Sequence, residues 1–161
     1  LKVVALAQMI ESKLVDTRQR QEWMSILAKA DPHRVVSLLR GLNPPQAEVL
    51  RAPEIGMVMV RGRAGSDGGA FNLGEMTVTR CVVRLSTGET GVGYVAGRNK
   101  QHAQSAAVID AMLQSSALFD RVQSEVIAPL KAEKAEQMEV AALKAAATKV
   151  DFYTMVRDRQ G

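Results

Sequence analysis

The run Gly91-Val92-Gly93-Tyr94-Val95-Ala96-Gly97 puts glycine at Gly91, Gly93 and Gly97, on one side of an alternating pattern. In a strand this sends Val92, Tyr94 and Ala96 to one face and leaves the other mostly glycine. Glycine weakens a strand unless another backbone or a ligand must come close. The sequence around the run fits a strand, turn, strand and helix. Met76 to Leu85 is rich in Val and Thr, as a half-buried pleated surface prefers, and Ser86-Thr87-Gly88-Glu89 supplies a turn with Gly88 free to take positive φ. After Gly97-Arg98, Asn99 is a suitable N-cap. His102, Ala106, Ile109 and Leu113 then recur at i, i+4, i+7 and i+11, the stripe of an amphipathic helix.

The flanking segments read as support for this unit. Thr17 can open a helix whose apolar residues are Trp23, Ile26, Leu27 and Ala30. Asp31-Pro32 is a cap followed by proline at the first helical position, and the next helix buries Val35, Val36, Leu38 and Leu39 before Gly41 ends it. That second helix offers few polar side chains to base edges, so a helix-turn-helix DNA reader is disfavoured. Asn43-Pro44-Pro45 makes a stiff connection. Glu54 to Arg63 alternates as a strand, and residues 61–69 form a polar, glycine-rich link without the spacing of a nucleotide-cradling loop. Three strands joined by hairpin-length links predict an antiparallel meander. Phe119 leads a segment that ends at Ala128-Pro129. Leu130 to Lys149 is alanine-rich, and its larger apolar residues Leu130, Met138, Val140 and Leu143 scatter around the wheel. The predicted class is α+β: a small antiparallel β-meander packed with helices, an extended C-terminal helix and an apolar tail.

Three regions follow: an N-terminal extension over 1–16 with helical spacing, an α+β core over 17–128, and a helical arm with a docking tail over 129–161. The extension is read either as an extra helix or as a consequence of the chosen start, since the chain does not begin with Met. Glu11 and Lys13 follow its apolar stretch without a small-residue cleavage site, which argues against a signal peptide. No apolar run approaches a membrane span, and the lone Cys81 excludes an internal disulfide, so a cytoplasmic location without a membrane partner is expected.

Self-sufficient catalysis finds little material. One cysteine cannot hold an iron–sulfur cluster, His33 and His102 sit in unrelated elements, and no Ser or Cys has a nucleophile-elbow context. No catalytic or metal-binding residue is assigned. Arg98, Lys100 and His102 at the helix start are the anion-binding or interface candidates, because a helix start exposes unpaired N–H groups. For His102 the competing reading is a hydrogen-bonded core histidine. Arg80 and Arg84 join the candidates, against a simpler reading as solvent-facing or carboxylate-paired arginines. The formal charge of +4 leaves open a stand-alone anion- or nucleic-acid-binding module. Single-strand binders want stacking platforms, and the sheet offers Tyr94 alone, so nucleic acid is disfavoured. Phe152, Tyr153, Met155 and Val156 crowd apolar groups into a chain end, where polar residues are the rule, and are read as partner-docking anchors, against a simpler reading as a tail docked on the domain's own helices.

Five stretches carry a family resemblance. They are Arg20-Gln21-Glu22-Trp23-Met24-Ser25; Thr79-Arg80 with Val83-Arg84-Leu85; Gly97-Arg98 with Lys100-Gln101-His102-Ala103; Ile109-Asp110-Ala111; and Val150-Asp151-Phe152-Tyr153-Thr154-Met155-Val156-Arg157. In this order the chain resembles the PhnG family, the small subunit of the bacterial carbon–phosphorus lyase core complex. The resemblance implies membership of an assembly that makes a ribose 1-phosphonate 5-triphosphate from a phosphonate and ATP, displacing adenine. It implies PhnH-, PhnI- and PhnJ-type partners, nucleosidase chemistry on the PhnI type, and a separate radical-SAM subunit that breaks the carbon–phosphorus bond. ATP and magnesium are implied for the complex, and no cofactor is expected on this chain alone. A supporting subunit, inactive by itself, is the expectation.

Overall fold

A computed structural model describes residues 17–63 and 68–148. Helix α1 (Thr17–Leu27) and helix α2 (Pro32–Gly41) lead into three strands, β1 (Ala47–Arg63), β2 (Ala70–Leu85) and β3 (Thr90–Ala96). Helix α3 (Lys100–Met112), a single turn α4 (Phe119–Val122), a π-turn over Gln123–Ile127 and the long helix α5 (Ala128–Ala147) complete the order. The strands form one antiparallel sheet in the order β1-β2-β3, the expected meander.

Helix α3 is the centre of the fold. Residues 105–112 are buried without interruption, so the helix is enclosed on all sides, with the sheet against one and α1 and α2 against others. The expected stripe of His102, Ala106, Ile109 and Leu113 is buried, as is nearly everything between. The glycine face of β3 explains how a helix fits so close to a sheet. A methyl group on Gly93 would lie 1.9 Å from the carbonyl oxygen of Ala103, and one on Gly91 would lie 2.0 Å from that of Ala107. Ala103, Ala107 and Ala111, one turn apart, run along these glycines, so backbone meets backbone. The close approach is to the chain's own helix.

Several boundaries differ from the sequence reading. Strand β1 begins at Ala47 instead of Glu54, and β2 at Ala70 instead of Met76. The early part of β1 contains Pro53 and two register irregularities, between Val49 and Arg51 and between Arg51 and Glu54. These hide the alternation, and an edge strand tolerates both features. Asp31 caps α2 by accepting from the Arg34 N–H at 2.9 Å, with Pro32 following as expected. Gly41, however, is the last helical residue, and the left-handed position falls on Asn43 at φ 49°.

Ala128-Pro129 does not end its segment. The helix runs through it into α5, and the Ala128 N–H reaches back to the Gln123 carbonyl in the wider i→i+5 spacing. Proline has no N–H and its ring crowds the carbonyl four residues back, which a widened preceding turn accommodates. The first turns of α5 are tied down by Leu130 in the core, Lys131 to Glu22, and Glu133 to Arg34 at 2.8 Å. Beyond them Met138, Val140 and Leu143 are exposed, as their scatter around the wheel implies.

Candidate functional site

The residues singled out from the sequence divide in space. Asn99 caps α3 by accepting the His102 N–H at 3.0 Å, and Arg98 and Lys100 on either side of it are exposed. Next to this start lies a shallow hollow of about 290 Å³, bordered by His33, Ser37 and Arg40 of α2 together with Asn99 and Gln101. The structure thus adds His33 and Arg40 to the neighbourhood of the helix start. The sequence reading missed both, because they precede it by some sixty residues and only the packing of α2 on α3 brings them there.

The His102 side chain is not part of that surface. It is buried against α1, with Nε2 2.9 Å from the Leu27 carbonyl oxygen. A carbonyl only accepts, so Nε2 carries a proton, and the buried Nδ1, with no partner among the described residues, disfavours a second one. Of its two readings, the hydrogen-bonded core histidine is the one that describes this geometry. Burial lowers its pKa from the usual 6.5, opposed by the Leu27 carbonyl and by the charge of Asp31. The consequence for stability has a definite sign. The unfolded chain takes up a proton near 6.5 while the folded chain resists it, so stability falls as pH drops below that value. His102→Gln retains an amide donor for Leu27 but cannot titrate. Its urea midpoint is expected to fall less than the wild type's between about pH 7.5 and about pH 5.5; parallel falls would mean His102 contributes nothing to the pH dependence.

Arg80 and Arg84 lie on the sheet face away from α3, with Val82, Tyr94 and Val92 as neighbours in the register. Arg80 is exposed and shares Glu54 with Arg51, at 3.4 and 2.8 Å respectively. This is the carboxylate-paired surface arginine of the simpler reading. The tail residues Phe152, Tyr153, Met155 and Val156 lie outside the described residues, as do residues 1–16.

The most connected polar group escaped the sequence reading as a structural element. Asp110 is fully buried in the last turn of α3. Its Oδ1 accepts from the Trp23 indole N–H at 2.9 Å and from Arg20 Nε at 3.2 Å. Its Oδ2 accepts from Arg20 Nη2 at 2.7 Å, the Val92 backbone N–H at 2.9 Å and Gln114 Nε2 at 3.2 Å. One carboxylate therefore ties α1, β3 and the end of α3 together. A carboxylate has about four lone-pair sites, and here all are occupied, so none is left to act as a general base. The signal was present: an aspartate inside the apolar run from Ala106 to Leu113 needs donors, and Arg20 and Trp23 recur on one face of α1.

Cys81 is buried, its thiol 3.4 Å from the Arg51 carbonyl, and burial pushes its pKa up, which makes it inert. Among the described residues no three His, Cys, Asp or Glu side chains gather to hold a metal ion. Nor is any helix of the described residues long and apolar enough to cross a membrane.

The arrangement is a scaffold with a basic helix start, and comparison with known proteins shows which scaffold. The family described as phosphonate metabolism protein PhnG matches residues 18–158. The chain belongs to the PhnG family. A relative from Rhizobium meliloti (strain 1021), the alpha-D-ribose 1-methylphosphonate 5-triphosphate synthase subunit PhnG, is 43% identical over 143 residues, covering 86% of this chain and 89% of the relative. The matched span covers the residues of the Asp110 node and of the β3–α3 contact.

Proposed function

We propose that this PhnG-family chain is a supporting subunit of a carbon–phosphorus lyase complex, required for the ATP-dependent formation of alpha-D-ribose 1-phosphonate 5-triphosphate and inactive alone. The observation that carries the reading is 43% identity, across most of both chains, to a named subunit of the methylphosphonate enzyme. The saturated Asp110, the buried His102 and the buried Cys81 support a role without a reacting group among the described residues. PhnH-, PhnI- and PhnJ-type subunits are its partners in this proposal. ATP and magnesium enter through the assembly, and no described residue of this chain is assigned to hold them. A cytoplasmic complex is part of the same reading.

Genetics tests this directly. A host strain lacking the chain is expected to grow on phosphate but not on methylphosphonate as sole phosphorus source, with growth restored by a plasmid copy. Normal growth on methylphosphonate without it would overturn the proposal. The same strain examines the start of α3. The Arg98→Ala/Lys100→Ala variant is expected to restore growth poorly while the isolated protein keeps its thermal midpoint, because both side chains are exposed. Full restoration would make the pair ordinary surface.

A further inference from the structure

Strands β1 and β2 continue well past the rest of the fold. Strand β3 pairs with β2 from Val78 to Arg84, so residues 57–63 of β1 and 70–77 of β2 form a two-stranded ribbon with no third strand among the described residues. The register assigns its side chains to two faces. Ile55, Met57 and Met59 stand opposite Thr79, Thr77 and Glu75 on the face that continues the helix-covered side of the sheet. On the other face, Val58 and Val60 stand opposite Met76 and Gly74, and Phe71 and Leu73 flank Gly62. Both faces carry open apolar side chains, beside Thr77 and Glu75 on the first: Met57 is 68% exposed there and Leu73 66% on the second.

Such a ribbon is poorly suited to water. An isolated two-stranded hairpin is marginal at best, and a strand meant for solvent alternates apolar with polar residues. Apolar residues on both faces are the pattern of strands covered on both sides. The exposed side chains Ile55, Met57, Met59, Phe71, Leu73 and Met76 together present apolar surface on the order of the several hundred Å² that marks an interaction site.

We infer that a neighbouring subunit of the synthase clasps this ribbon in an apolar cleft that covers both faces. The inference rests on the subunit reading above and gives it a docking element. A second copy of this chain fits less well. Two-fold face-to-face pairing covers one face of each ribbon and leaves the other bare, and edge-to-edge pairing leaves both bare. Charge adds a specification for the cleft. Arg61 and Arg63 lie toward the tip, whereas Glu54 at the base is already engaged by Arg51 and Arg80. A partner rim carrying carboxylates near the tip complements them.

The test introduces one charge on each face, Met57→Glu with Leu73→Glu, in the full-length tagged chain co-expressed with the other synthase subunits. The isolated variant is expected to keep the wild-type circular dichroism and thermal midpoint, while recovery of the other subunits drops about tenfold or more. Wild-type recovery by the variant overturns the inference and leaves the subunit reading standing. If the wild-type chain itself recovers no other subunit, the subunit reading fails first. An isolated wild-type dimer that the two substitutions dissolve would assign the ribbon to a second copy and overturn the inference. Should the variant lose its fold, amide hydrogen exchange on the wild type decides. Residues 57–63 and 70–77 must exchange more slowly in the assembly than in the isolated chain, and unchanged exchange contradicts the clasp.

Discussion

Gly93→Ala is expected to destabilise the isolated chain by about 3 kcal/mol or more, beyond the middle of the range for overpacked cores, and to reduce its soluble yield sharply. The new methyl would meet the Ala103 carbonyl oxygen at 1.9 Å, the Ala103 carbonyl carbon at 2.8 Å and the Ala107 nitrogen at 3.0 Å. All three are backbone atoms of α3, so no side chain can turn aside, and relief requires moving the helix off the sheet. Against a total of roughly 5–15 kcal/mol for a domain, that is a large share. Gly56→Ala in β1 is the matched comparison, because a methyl there meets nothing within 4 Å. Urea unfolding of the two variants should separate them widely. Equal stabilities would mean that the helix does not rest on the glycine face.

Asp110→Ala has the second large effect, a loss of about 2–4 kcal/mol, the cost of leaving buried donors without an acceptor while the one-third exposed Arg20 turns to water. Removing the carboxylate leaves the Trp23 indole N–H and the Val92 N–H without an acceptor. Asp110→Asn should be milder, since one oxygen remains to accept. Trp23→Phe removes a donor along with part of the packing, including the edge-on contact with Phe119 at 6.2 Å. Its loss of the hydrogen bond alone is about 1 kcal/mol. The unfolding series at neutral pH tests the order Ala at 110, then Asn at 110. An Asp110→Ala protein as stable as wild type would remove the node from the account.

Much of this architecture could be read from the residues, because it depends on local rules. The glycine alternation in 91–97 required a close neighbour, and the helix that follows in sequence supplies it. The cap Asp31-Pro32 and the turn at Gly88, with φ 105°, are local chemistry and stand where the sequence puts them. What escaped was non-local. The Asp110 node joins residues up to ninety positions apart, and no spacing rule connects Arg20 to Asp110. His102 was visible as a member of an apolar stripe, yet only the position of Leu27 decides that it turns inward. The full length of the β1–β2 ribbon was obscured for a different reason. Its apolar residues face both ways, and Pro53 and the register shifts break the alternation by which a strand is recognised.

The proposal that this PhnG-family chain acts only in company rests on its likeness to a named synthase subunit. Adenine release from ATP in the presence of methylphosphonate, followed chromatographically with purified subunits, tests that claim most directly. The account predicts no release by this chain alone, none by the remaining synthase subunits without it, and release when it is added back. Turnover by the isolated chain, or undiminished turnover by the set that lacks it, would contradict the account.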